Sequence, residues 1–179
     1  MRSMKRLVSV FLLMPGLLAV GQTPQTVPTL KSVLLEQLRT THNKKGTWFV
    51  PLSVALAGLS AEQAKWKDRS GNHSIMELTE HLLFWDDRNL TKFKGGQSPR
   101  FDGNNDETFE TSVTWDATVQ KLDSVLTDWE KSIEAADDQK LNKWYPTIAN
   151  IGAHNAYHLG QIVYIRKLQG SWNPENGVH

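Results

Sequence analysis

Apolar residues recur every three or four positions in four long segments of this chain, which is the spacing that lines one face of an α-helix. The segments cover about residues 29–59, 74–94, 113–135 and 147–168. The first is interrupted near Gly46 and at Pro51, so its helix is predicted to be kinked or split there. No run of alternating β-branched residues between tight turns indicates a strand. Four amphipathic helices without strands predict an all-α fold, a four-helix bundle.

Local signals support the ends of these helices. Ser74 followed by Glu77 has the spacing of a capping box, which begins the second helix. Gly170 is a stop signal after the fourth helix. A polar, glycine-containing loop over about residues 95–111 follows the second helix and is long enough for a crossover connection rather than a simple hairpin.

The first residues have the pattern of a secretory signal peptide. Arg2, Lys5 and Arg6 precede an apolar run over residues 7–20, and small residues occupy positions −3 and −1 of a cleavage site after Gly21. The run is short for a transmembrane helix, and the alternatives are an uncleaved anchor or a buried first helix. We therefore expect an exported protein, periplasmic or secreted, with a bacterial-type signal peptide and no stable membrane anchor after cleavage.

The domain organisation follows from these patterns. We predict a signal peptide over residues 1–21, an extended leader over 22–28, and a single four-helix-bundle domain over 29–179.

Composition narrows the classes of partner and site. The chain has 20 basic and 19 acidic residues, and removal of residues 1–21 changes its net charge from +1 to −2. This balance argues against binding to nucleic acid, because nucleic-acid-binding proteins normally carry a basic excess. The chain has no cysteine, which excludes disulfides, iron–sulfur clusters, thiolate zinc sites and cysteine nucleophiles. A metal site must therefore use histidine, carboxylate or backbone oxygen.

Three histidines are predicted to point into the bundle. His154 and His158 stand four residues apart at the centre of the apolar stripe of the fourth helix, and His81 lies on the core-facing side of the second. A buried imidazole without partners costs roughly 1–3 kcal/mol. Either the three share one divalent metal ion, or each bonds separately to a hydroxyl or carbonyl group. The spacing is not that of a zinc protease, because Asn155 stands where the H-E-x-x-H motif has its glutamate.

The segments around these histidines resemble a known family. Residues 148–154 (IANIGAH) and 156–162 (AYHLGQI) look like the last-helix signature of the DinB/YfiT-like superfamily, in which a histidine, three residues and a second histidine are followed by Gly-Gln. Residues 74–82 are similar to the second helix, where the family has its remaining metal histidine, and residues 165–172 also fit. The resemblance covers nearly the whole of the predicted domain.

The resemblance implies a DinB-like four-helix bundle that binds one divalent metal ion through His81, His154 and His158, with Zn, Ni or Fe as the expected metal. Similar proteins include thiol-dependent transferases and isomerases as well as metal-dependent hydrolases. We therefore expect an exported metal-dependent hydrolase or transferase that acts on an unidentified small molecule. The alternative is a non-enzymatic module that binds metal or a small ligand. No catalytic residue is assigned, and a homodimer is left open.

Residues near these histidines have two interpretations each. Gln161 follows His158 by nearly one turn and either bonds a ligand of the metal or joins two helices. Asp86 either orients a histidine nitrogen or lies at a solvated edge. The hydroxyl of Tyr157 either acts as an acid or simply packs. The remaining histidines are predicted outside the ligand set: His42 at the surface or site rim, His73 in the turn before the second helix, and His179 at the terminus.

Overall fold

The computed structural model describes residues 27–110 and 113–177, which form α-helices, two short 3-10 helices and connecting turns, with no strand in these ranges. The predicted signal peptide and most of the predicted leader lie outside the described residues. The α-helices, in chain order, are α1 (Leu30–His42), α2 (Leu52–Ala55), α3 (Ala61–Lys65), α4 (Ile75–Phe93), α5 (Trp115–Ala135) and α6 (Asp138–Leu168). The 3-10 helices are Asn105–Phe109 and Pro174–Asn176. The predicted all-α fold is confirmed.

The four longest helices, α1, α4, α5 and α6, form the bundle. Both α1 and α4 pack against α5 and α6. The buried faces form two apolar clusters along the bundle, one that includes Leu82, Leu122 and Ile162 and another that includes Phe93 and Trp129. None of the described helices is both long enough and apolar enough to span a bilayer.

Helix α4 begins as the sequence predicts. The backbone N–H of Glu77 donates to the Ser74 hydroxyl at 3.2 Å, and the N–H of Ser74 donates to the Glu77 carboxylate at 2.8 Å. These two bonds satisfy backbone donors that the first turn of a helix leaves free. The cap sets the start of α4, and the buried side chains of Ile75 and Leu82 then orient the helix in the core.

The first predicted segment is split, as expected, into the two helices α1 and α2. α1 ends at His42, and the turn after it contains Gly46 at a φ of 77°, which favours glycine. Pro51 is the N-cap of α2, and Ser60 begins α3 with a capping box. The predicted split near Gly46 and Pro51 is confirmed, and α3 is an additional short helix that lies beyond the predicted end of this segment.

Helix α6 begins at Asp138, well before the predicted start near residue 147. The carboxylate of Asp137 accepts the N–H of Lys140 at 2.8 Å and caps the helix, which continues through Pro146 for 31 residues. A proline inside a helix removes one backbone hydrogen bond, and this normally indicates a boundary. Here the buried Leu141 and Ile148 hold the two sides of the proline in the core, so tertiary packing keeps the helix continuous.

Candidate metal centre

His81, His154 and His158 meet where α4 packs against α6. His81 lies on α4, whereas His154 and His158 lie about one turn apart on α6. The Nε2 atom of His154 is 3.0 Å from Nε2 of His81 and 3.0 Å from Nε2 of His158. The three residues thus offer ligand atoms that all lie within 4.8 Å of one another, a spacing that can hold one metal ion.

The second ring nitrogen of two of these histidines has a fixed acceptor. The Thr108 hydroxyl donates to the backbone oxygen of Asn105 at 2.6 Å, so its oxygen accepts the Nδ1–H of His81 at 2.5 Å. The Nδ1–H of His158 donates to the side-chain oxygen of Gln161 at 2.6 Å. Both bonds place the ring proton on Nδ1, so Nε2 of each imidazole carries a free lone pair.

A bound cation would resolve the contacts among the three Nε2 atoms. His81 and His158 both present lone pairs to Nε2 of His154, which carries at most one proton when neutral and can donate it to only one of them. One of the two 3.0 Å contacts therefore brings two lone pairs together. Two nitrogens 3.0 Å apart can each lie about 2.1 Å from one ion at an angle of about 90°. Three neutral imidazoles suit Zn, Ni, Cu or Fe, so the residues fit a divalent metal.

Burial keeps these imidazoles neutral. Burial as the larger cause, together with charge repulsion between the histidines, lowers the pKa of His81 to about 3 and that of His154 to about 4. Burial also lowers the pKa of His158, although its bond to Gln161 acts in the opposite direction. Protons therefore compete little with a metal ion for these nitrogens near neutral pH.

A cleft of about 650 Å³ opens over the three histidines. Its walls come from α4, from the 3-10 helix Asn105–Phe109 and from α6, and they include Trp85, Asn89, Asn105, Thr147, Asn150 and Tyr157. Tyr157 lies at the mouth with 65% of its surface exposed. Among the described residues, no further histidine or carboxylate joins the cluster. Additional ligands of a metal held here would come from the cleft.

Asp86 lies neither at the site nor at a solvated edge, so both predictions for it are wrong. Its carboxyl is completely buried, and within the described part of the chain neither it nor the Asn155 side chain makes a hydrogen bond of normal geometry. The Asn155 amide is still near enough to favour the ionised acid somewhat, but burial dominates and raises the pKa of Asp86 to about 8. Asp86 is therefore mainly a neutral acid at pH 7.

Gln161 and His42 make contacts that the sequence did not predict. The side-chain oxygen of Gln161 accepts a hydrogen bond from His158 within the same helix rather than joining two helices, and its bond to a ligand of the metal stays a prediction. His42 is buried rather than at the surface or the site rim. Its Nδ1 lies 2.7 Å from the Glu130 carboxylate and its Nε2 lies 2.9 Å from that of Asp123, both on α5. His42 therefore ties α1 to α5, outside the metal centre.

Aromatic contacts extend the site beyond its three histidines. The ring of Phe109 stacks on His81 at a centroid distance of 4.0 Å and on His73 at 3.8 Å. His73 lies in the turn before α4, as predicted, and its stack on Phe109 adds a contact with the 3-10 helix Asn105–Phe109. Tyr157 packs edge-on against His158 at 5.0 Å. His179 lies outside the described residues.

Thr108 and Phe109 are the site residues that the sequence did not single out. Both lie in the loop predicted between the second and third helices, and Thr108 is 27 positions from the histidine that it orients. Hydrophobic periodicity cannot show which loop hydroxyl folds back onto a helix. The usable signal is local: Asn104 and Glu107 have the spacing of a capping box, which marks the start of the 3-10 helix.

The fold and the site together define an all-helical protein with a three-histidine cluster suited to a divalent metal ion. The sequence profile of the DinB superfamily matches residues 52–162, a range that includes all three histidines. The chain therefore belongs to the DinB superfamily, whose members bind metal. Neither the curated proteins nor the solved structures contain a match to the sequence.

Proposed function

We propose that this protein binds one divalent metal ion through His81, His154 and His158 and acts as a metal-dependent hydrolase or transferase on a small molecule. The observation that carries the proposal is the convergence of three Nε2 atoms on the floor of an open cleft. A bound divalent ion would supply Lewis-acid activation of a substrate or of a nucleophile. The superfamily membership supports metal binding but not a particular reaction.

The chain's own residues would then prepare the site in three ways. Thr108 and Gln161 hold the rings of two histidines so that Nε2 faces the cleft. Phe109 covers one face of His81 and keeps water from it. The amide side chains of Asn89 and Asn150 offer hydrogen bonds that can orient a substrate beside the metal.

A second candidate is a non-enzymatic module that binds metal or a small ligand. General acid–base catalysis needs a titratable group within hydrogen-bond reach of the reacting atoms. Among the described residues that line the cleft, no carboxylate or lysine supplies such a group. Tyr157 is the remaining candidate acid, and its side chain is mostly exposed at the mouth of the cleft.

Metal analysis of untagged protein tests the proposal. We expect about one divalent ion per chain in the wild type and less than about a tenth of that in His154→Ala, because that variant loses the nitrogen that contacts both others. His73→Ala is the matched control, since this half-exposed histidine lies outside the ligand cluster. Wild-type protein free of metal, or His154→Ala with a full complement, contradicts the proposal.

Activity assays then separate the two candidates. Metal-loaded wild type and His158→Ala are compared for ester hydrolysis and thiol transfer. Turnover by the wild type that is lost in the variant supports an enzyme. No turnover by a metal-loaded wild type favours the binding module.

Export is also part of the proposal. Its support is the basic, apolar and small-residue pattern of residues 1–21. An exported metal-binding domain with a net charge near −2 would act outside the cytoplasm.

A further inference from the structure

The two sides of helix α4 differ sharply in charge. On one side, His81, Trp85 and Asn89 line the metal cleft, and none of the described residues lining that cleft is a lysine, arginine, aspartate or glutamate. The groove on the other side of α4 is lined by charged residues that include Glu80, Asp87 and Arg88. Since 22% of the whole chain is charged, an uncharged lining is a local property of the metal cleft.

The 3-10 helix Asn105–Phe109 repeats this division. Asn105 and Phe109 face the metal cleft, whereas Glu107 faces the charged groove. On α6, Thr147, Asn150 and the two histidines complete the cleft without a charged side chain. All three wall elements therefore direct uncharged groups toward the metal.

The ligand set leaves the charge of a bound metal uncompensated. Three neutral imidazoles donate lone pairs but no negative charge, so a divalent ion keeps its charge of +2. No carboxylate of the described lining offsets it. A ligand with one negative group at the metal therefore gains a strong, poorly screened attraction in the partly buried cleft.

The rest of the ligand meets a different surface. A second charge would lose hydration without finding an oppositely charged side chain in the described lining, which is costly. The side chains of Asn105, Asn150 and Thr147 can both donate and accept hydrogen bonds, as hydroxyl and amide groups of a ligand require. Trp85 and Tyr157 add flat apolar surfaces.

We infer that the cleft selects small molecules that carry a single anionic metal-binding group on an uncharged body with hydroxyl or amide substituents. This inference rests on the proposed metal site and adds the class of ligand. The uncharged wall residues, rather than the metal, then decide which ligands bind.

Three hydroxamates with a shared metal-binding group test the inference. They are benzohydroxamates with a carboxamide, a carboxylate or an aminomethyl group at the para position, and calorimetry measures their binding to Zn-loaded protein. We expect the carboxamide to bind at least about tenfold more tightly than either charged compound, because the charged groups lose hydration without an oppositely charged side chain beside them. Equal affinities, tighter binding of a charged compound, or no binding of any of the three overturns the inference.

Asn150→Asp provides a direct test of the wall. Asn150 is exposed on α6, so the substitution places a carboxylate in the cleft without disturbing the core. We expect the aminomethyl compound to gain about fivefold or more relative to the carboxamide in this variant. Asn142→Asp, on an exposed position of the same helix outside the cleft, is the matched control and keeps the wild-type order.

An unchanged ratio of aminomethyl to carboxamide affinity in Asn150→Asp overturns the inference, as does the same change of ratio in Asn142→Asp. Metal content, measured on each sample beforehand, separates this failure from failure of the proposed function. Protein that takes up no Zn contradicts the metal site itself, whereas Zn-loaded protein without the expected order contradicts only the ligand class.

Discussion

Two of the three site histidines, His81 and His158, owe the position of their ring proton to the groups that bond their second nitrogens. Periodicity placed all three on core-facing sides of the correct helices, and the structure brings them together. Periodicity could not identify the acceptors of their ring protons, because Thr108 approaches His81 from a loop and Gln161 bonds within its own helix. The predicted environment of Asp86 was wrong for a related reason. A carboxyl group is expected at the edge of a helix face, and only the tertiary structure shows that it is buried.

Replacement of the buried acid gives a prediction at the scale of one residue. The pKa of Asp86 is about 8 in the folded protein and near 3.8 in an unfolded chain. The folded state therefore holds the proton more tightly, and the free energy of unfolding falls as the pH rises from about 4 to 8. Asp86→Asn removes this loss. We expect its gain in stability to be larger at pH 8 than at pH 5 by about 1–3 kcal/mol.

Urea denaturation of metal-free protein at the two pH values measures this difference. Asp87→Asn is the matched control, because that neighbouring carboxylate is about half exposed and should change stability by less than about 0.5 kcal/mol. A gain that is the same at both pH values, or a loss that grows at pH 8, contradicts the assignment of Asp86 as a buried neutral acid.

At the scale of helices, success depended on whether local signals agreed with packing. Helices α4 and α5 have uninterrupted apolar stripes, and their first and last residues lie close to the predicted bounds. The start of α6 was missed because Pro146 interrupts the local pattern, while burial of Leu141 and Ile148 keeps the helix intact. The first segment split where it was predicted to, but α3, just beyond it, was not predicted. Helices α2 and α3 have only four and five residues and depend on tertiary contacts.

The contact between the 3-10 helix and α4 gives a prediction at this scale. Thr108→Val keeps the shape of the side chain but removes the acceptor for the Nδ1–H of His81. We expect metal affinity to fall about 10–100-fold, as is typical when a bond that orients a metal ligand is lost. Thr108→Ser retains the hydroxyl and should stay close to the wild type. Competition with a chromophoric chelator measures the affinities.

Helix content by circular dichroism accompanies that experiment, so that a folding defect is not mistaken for a weaker ligand. A Thr108→Val variant that folds normally and binds metal as tightly as the wild type would show that the loop does not position His81.

For the whole molecule, the sequence was sufficient to predict the fold class and the superfamily, but not the residues that surround the site. Four periodic segments were enough for an all-helical bundle, because helix period and the absence of strand patterns leave few other architectures. The uncharged cleft was not predictable in this way. It is assembled from α4, α6 and a loop, and its lining depends on side chains that are distant in the chain.

Processing of the N-terminus is a prediction for the whole chain. When the gene is expressed with its own first residues in a bacterium, we expect the periplasmic protein to begin at Gln22. Ala19→Arg should block cleavage, because the −3 position requires a small residue. Intact mass spectrometry of fractionated cells measures both. Full-length wild-type protein confined to the cytoplasm would contradict the signal peptide.

The positions of the three histidines have a consequence for folding. His81 and His154 are 73 residues apart in the chain, so an ion held between them would close a loop that spans much of the bundle. A covalent cross-link over that distance stabilises a protein by about 4 kcal/mol, mainly by restricting the unfolded chain. In a chain without cysteine, which cannot form disulfides, the metal would be the cross-link between these distant segments. The stability that this cross-link adds would depend on the supply of metal rather than on the redox state of the surroundings.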